Sequence, residues 1–132
     1  KALEELSLVQ PGDSVKTGPQ SVLTLVTPSG DKVILQPTSE VTFVSLEPTS
    51  TTGVSRYCFR DAHGEVNFDF RKAGDLEFRA GPRKVRGSRA HLRVARDRRA
   101  PSLTVVAGTG YLSHDKGGET IILRAGDTIG LE

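Results

Sequence analysis

The densest chemistry in this sequence is positive charge. Arg79, Arg83, Lys84, Arg86, Arg89, Arg93, Arg96, Arg98 and Arg99 fall within 21 residues, against one acid, Asp97. The rest of the chain carries more acid than base, so a net charge of +2 conceals a local cluster. Like charges held this close must be solvated, paired, or presented to a polyanion. Two readings stay open at this level. In one, the arginines line a solvated strand face and pair with acids such as Asp61, Glu65, Asp69, Asp75 and Glu77. In the other, Arg83, Lys84, Arg86, Arg89, Arg93, Arg96, Arg98 and Arg99 form a binding surface for an acidic protein or another polyanion. Nucleic acid is not the expected polyanion. Single-strand binders stack bases on aromatic platforms, and no aromatic lies between Phe78 and Tyr111. Arg86, next to Gly87, is expected to bond backbone carbonyls and lock a turn.

Other reactive groups are sparse. His63, His91 and His114 are widely spaced and have no cysteine cluster beside them, so no metal site is expected. Asp31, Asp61, Asp115 and Asp127 lie beside or near glycines, where side-chain bonding to the backbone explains them without calcium. Cys58 is the single cysteine, which excludes an internal disulfide. It is expected to be a plain buried thiol, facing opposite to Tyr57 and Phe59. The alternative is a thiol activated by Arg56 and Arg60. No Gly-x-Ser-x-Gly elbow or phosphate loop is present. The chain is therefore expected to be neither an enzyme nor a cofactor carrier.

The elements that must position these groups are strands. At 132 residues the chain fits one domain, 1–132, with enough length for one core. Trp and Met are absent, so the core must come from Val, Leu and Ile with five Phe. Such residues favour pleated surfaces. Strand patterns recur at Ser21–Thr27, Lys32–Leu35, Glu40–Leu46, Ser55–Phe59, Glu65–Phe70 and Leu76–Phe78. They continue at Arg89–Val94, Leu103–Val106, Thr120–Leu123 and Thr128–Leu131. In Arg89–Val94, alternation sends Arg89, His91 and Arg93 outward and Ala90, Leu92 and Val94 to the core. In Glu40–Leu46 it places Val41, Phe43 and Ser45 on one face and Thr42, Val44 and Leu46 on the other. Turn signals at Pro28–Asp31, His63–Gly64 and Lys116–Gly118 punctuate the runs, and Gly30 is expected to close a hairpin. Ala95–Ser102 and Glu47–Thr52 read as loops, and Ala2–Leu6 as a one-turn helix or a loose terminus. The expectation is an all-β single domain of many short strands, in a sandwich, a roll or a β-solenoid-like arrangement. No apolar run reaches 18 residues, so any membrane anchor would lie outside this fragment. Gly-Asp recurs at Gly12-Asp13, Gly74-Asp75 and Gly126-Asp127. This is either a common turn dipeptide or a sign that the two ends form related β-turn-β units.

Two segments carry a resemblance. Pro11-Gly12-Asp13-Ser14-Val15-Lys16-Thr17-Gly18 leads through Ser21–Leu25 and the Gly30 hairpin to Pro37–Val41. Val85-Arg86-Gly87-Ser88 leads through Ala90–Val94 and Leu103–Leu112 to Thr120–Asp127. Together, over 11–46 and 83–131, they resemble the FecR-type domain family of bacterial envelope proteins. The family's Val-Arg-Gly-Thr block carries Ser88 here in place of Thr, and 54–80 shows no aligned pattern. The resemblance implies an all-β domain in the periplasm or at the cell surface, outside the cytoplasmic membrane. It implies a role in signal relay. The basic cluster adds an acidic protein partner or an anionic envelope polymer as the expected contact, and no cofactor is expected. The alternatives are a carbohydrate- or peptidoglycan-binding module and a structural spacer in a surface assembly.

Overall fold

The computed structural model describes residues 9–28, 30–48, 55–72, 75–96 and 101–131. The expected Ala2–Leu6 helix lies outside the described residues, as does most of the Glu47–Thr52 loop. The strands are β1 (Ser14–Lys16), β2 (Leu23–Val26), β3 (Lys32–Leu35), β4 (Glu40–Pro48), β5 (Ser55–His63) and β6 (Glu65–Asp69). They continue with β7 (Asp75–Ala80), β8 (Arg83–Arg96), β9 (Pro101–His114), β10 (Ile121–Arg124) and β11 (Thr128–Gly130). All belong to one sheet that curls into a half-barrel, which makes the roll the correct member of the expected set.

The curl originates in β8 and β9. Both are longer than expected, and Ala95, Pro101 and Ser102 are strand residues, not loop. In β8, Val85 and Gly87 face the core, then Ala90, Leu92 and Val94 do. Core-facing parity thus changes from odd to even, and the ladder to β9 shifts register between Ser88 and His91. The additional residue is a bulge, with Arg89 at φ 54°. Opposite it sits Gly108 at φ 78°, and a Cβ there would stand 2.6 Å from Arg89 O and 2.8 Å from the Ala90 Cα. The bulge divides the hairpin. Arg83–Ser88 pairs with β7, whereas His91–Ala95 pairs with β6. On β9, Thr109–Leu112 pairs with β10, and Ser102–Thr104 with β11.

The fold over this kink brings non-neighbouring strands into contact. Phe68 on β6 lies 5.6 Å from Phe78 on β7 and 5.2 Å from Phe59 on β5, centroid to centroid. Tyr57 and Phe70 add a 5.6 Å pair. The core sits inside the curl among these rings and buried Val33, Leu35, Leu76, Leu92 and Leu103. β4 departs from simple alternation for the same kind of reason as β8. A bulge around Val44 turns Ser45 to the side of Thr42, away from Phe43. Val41, Thr42 and Phe43 are buried on both faces, whereas Val44 and Leu46 are exposed.

The two chain ends use one device. Gln10 N–H donates to Asp13 Oδ2 at 2.8 Å, and Asp13 N–H donates to Gln10 O at 2.9 Å. Arg124 N–H donates to Asp127 Oδ2 at 2.8 Å, and Asp127 N–H donates to Arg124 O at 2.9 Å. Gly12 and Gly126, at φ 94° and 96°, donate to Phe43 O and Val105 O, each at 2.7 Å. Phe43 and Val105 return their N–H to Asp13 O and Asp127 O at 2.9 Å. The hydroxyl pairs Ser14–Thr42 and Thr104–Thr128 match as well, both at 2.8 Å. The related-unit reading therefore holds for the first and last Gly-Asp segments. Ala73 and Gly74 of the middle one lie outside the described residues.

Candidate functional site

Cross-strand neighbours on the convex, outward face form rows. Three rows cross β5, β7, β8 and β9. One places Arg60 beside Arg79, Arg79 beside Lys84, and Lys84 beside Ser113. The next runs Cys58, Glu77, Arg86, Tyr111 and on to Ile122 of β10. The third runs Arg56, Asp75, Ser88, Thr109 and Arg124. Beyond the kink the outward rows hold Asp69 with His91, and Asn67 with Arg93.

Much of the basic cluster is paired. Arg86 Nε donates to Glu77 Oε1 at 2.9 Å, and Arg93 Nη2 donates to Glu65 Oε1 at 2.9 Å. Arg79 Nη1 donates to both Asp115 oxygens, at 2.8 and 2.7 Å. The solvated-face reading therefore holds at Arg86 and Arg93, with two of the acids it named. The expected turn lock at Arg86 is corrected. Arg86 points outward to a carboxylate across the ladder. The guanidinium bound to a backbone carbonyl is that of Arg83, whose Nη1 donates to Gly130 O at 2.6 Å.

Arg83 shares parity with the core-facing Val85, so it reaches the open mouth of the half-barrel and not the outer face. There it borders a cleft of about 330 Å³ with Asp61, His63, Phe78, Pro82 and Leu131. Lys84 and Arg89 have no hydrogen-bond or ion-pair partner among the described residues. Arg89 stands exposed at the bulge. The Arg96 side chain, Arg98 and Arg99 lie outside the described residues. The structure therefore brings Lys84 and Arg86 onto one outer patch. It adds Arg60 and Arg79, which the sequence reading left out of the site. Their signal was period-two placement on strands that pair in parallel, a pairing that residue spacing does not reveal.

Two pairs beyond the kink perturb titration. The Arg93 hydrogen bond holds the Glu65 carboxyl below its ordinary value, and Arg71 does the same for Asp69. Burial pushes His91 down. Its Nε2 lies 3.1 Å from Asn67 Oδ1. Cys58 is buried, faces opposite to Tyr57 and Phe59, and burial raises its thiol above the ordinary range. That direction opposes thiolate formation, as expected of the plain thiol. Among the described residues no group of three or more His, Cys, Asp or Glu could hold a metal ion.

No family model and no curated protein matches the chain. Among solved structures it is similar to two crystal structures of a "putative anti-sigma factor from Parabacteroides distasonis ATCC 8503", at 2.50 and 1.65 Å resolution. The TM-scores are 0.62 and 0.61, at 13% and 15% sequence identity. Each match covers 89% of this chain and 58% of the other, so the chain spans a little over half the length of these neighbours. At that identity the likeness establishes a shared all-β fold.

Proposed function

We propose that this chain is a non-enzymatic FecR-type signalling domain of a bacterial envelope protein. It works outside the cytoplasmic membrane by binding an acidic protein partner or an anionic envelope polymer. The fold shared with a putative anti-sigma factor supports this reading. So does the placement of the motifs behind the resemblance. Gly12–Val15 builds a clasp on β4, and Val85–Ser88 leads directly into the kink. The observation that carries it is the row Arg60, Arg79, Lys84 across three adjacent strands, with Lys84 unpaired among the described residues. Adjacent cations on a rigid sheet raise the local positive potential and favour a polyanion over a small neutral ligand.

The test is titration with poly-L-glutamate at low and at physiological salt. The triple variant Arg60→Gln, Lys84→Gln, Arg89→Asn should weaken binding about tenfold or more. Tm should stay nearly constant, because all three side chains lie outside the core. Unchanged affinity would discard the reading. The carbohydrate-binding alternative rests on Tyr111, since Tyr57 packs against Phe43 and Phe70. Peptidoglycan fragments in place of poly-L-glutamate separate the two.

A further inference from the structure

β10 is apolar on both faces although it lies at an edge. On the outer face Ile122 sits opposite Tyr111, and the two are 51% and 44% exposed. On the core side Ile121, opposite buried Leu112, is 53% exposed because the sheet stops there. Strands apolar on both faces belong to the interior of a sheet. Edges are normally guarded by Lys, Pro, a bulge or short length. β1 carries Lys16 and has three residues, and β11 also has three. β2 has Thr24 at its centre and Pro28 just beyond its end. β10 has four residues, as β2 does, but Thr120–Leu123 carry no charge and no Pro, and its ladder to β9 has no bulge.

Among the described residues no second strand lies along the outer side of β10. Arg124 N–H and C=O are both engaged by Asp127, so they face away from β9. Alternate residues of a strand face the same way, so the N–H and C=O of Ile122 point off the free edge.

We propose that β10 is a homotypic docking edge, at which two copies of this chain pair β10 against β10, antiparallel, in one continuous sheet. A two-fold axis normal to the sheet keeps both cores on the same side, so opposed residues must share parity. The register centred on Ile121 sets Ile121 against Ile121 and Thr120 against Ile122. Each Thr120–Ile122 pair then exchanges N–H···O=C bonds through the free groups of Ile122. Centring on Ile122 instead would set Thr120 against Arg124, whose backbone groups Asp127 already holds. Charge does not oppose the pairing, because Glu119 falls opposite Leu123 and Arg124 opposite Gly118, so no like charges meet across the axis. The two Arg124 residues stand about 20 Å apart at roughly 3.3 Å per residue, beyond the Debye length of about 8 Å.

Sedimentation equilibrium of the full chain, from about 10 µM to about 1 mM, tests this. The wild type should pass from monomer to dimer. Thr120→Pro and Ile122→Lys should each raise the dissociation constant about tenfold or more. Circular dichroism should show both variants folded. Ile122→Thr keeps the β-branched shape and gives the same reading if the lysine unfolds the edge. Exchange of the Ile122 amide should slow as the wild type is concentrated. A monomer throughout, a dimer that the variants leave unchanged, an open-ended polymer, or protection appearing at β2 instead overturns the proposal.

Discussion

The two halves of β8 have similar sequences and different electrostatic fates. Arg83–Ser88 and His91–Ala95 are both basic, both alternate, and both sit between two strands of one sheet. Beyond the kink, β6 supplies Glu65, Asn67 and Asp69, and each outward cation or imidazole meets a partner. Before the kink, β7 supplies Glu77 and also Arg79, and β5 adds Arg60 to the same row. One half is closed by its neighbours, and the other keeps Lys84 unpaired among the described residues. Local sequence sets the charge of a strand, but the strands paired with it decide whether that charge is spent internally or left for a partner.

The kink makes the halves different, so removing it should have the largest effect. Gly108→Ala places a Cβ 2.6 Å from a backbone carbonyl while the glycine φ is 78°. Clash and strain together should cost about 3 kcal/mol or more, a fall in Tm of roughly 10 °C. Gly117→Ala is the control, with φ 85° and no atom within 4 Å of the added Cβ. It should cost only about 1 kcal/mol. Equal losses in thermal melts would mean that conformation alone matters and the two strands do not interlock at Gly108.

How much of this was legible follows from the same residues. Period-two patterns located most strands, since burying Val66, Phe68 and Phe70 together requires a pleat. They missed the length of β8 and β9, since the patterns cover only Arg89–Val94 and Leu103–Val106 and Ala95–Ser102 reads as a loop. Gly87 and Gly110 face the core as small residues, and Gly108 makes room for a bulge. The Gly-Asp recurrence was visible, but only hydrogen bonds could show that both ends clasp a long strand alike. The basic cluster was plain in the sequence. Its pairing was not, since Glu77 lies opposite Arg86, and Glu65 near Arg93, only through registers set by the curl.

Acid should separate the halves by a smaller amount. Glu65 and Asp69 are held below their ordinary values chiefly by hydrogen bonds from Arg93 and Arg71, and His91 chiefly by burial. All three therefore bind fewer protons in the folded state than in the unfolded chain. Their contribution to stability is present at high pH and is lost as pH falls. The His91 part goes first, below its ordinary 6.5, and the carboxylate parts follow below 4.5 and 3.8. Tm should fall between about pH 8 and pH 5, and His91→Gln should flatten that fall, because glutamine does not titrate. At lower pH, amide exchange should quicken at 65–69 and 91–95 before it does at 84–88. An unaltered pH profile in the variant would assign the acid sensitivity to other groups.

The smallest effect separates the halves by function. Glu77→Gln and Glu65→Gln each remove one partner of an ion pair whose arginine is about half exposed, 48% at Arg86 and 44% at Arg93. Glutamine keeps the hydrogen-bonding oxygen, so each should cost only about 1 kcal/mol of stability or less. Binding should tell them apart. Glu77 lies among Arg60, Arg79, Lys84 and Arg86, where it offsets the field that would attract a polyanion. Removing its charge frees Arg86 and should tighten poly-L-glutamate binding roughly threefold. Glu65 lies across the kink, where freeing Arg93 adds one cation to a half that Asp69 still balances. There the gain should be small. If Glu65→Gln tightened binding as much as Glu77→Gln, the attraction would follow net charge alone, and the row before the kink would have no special role.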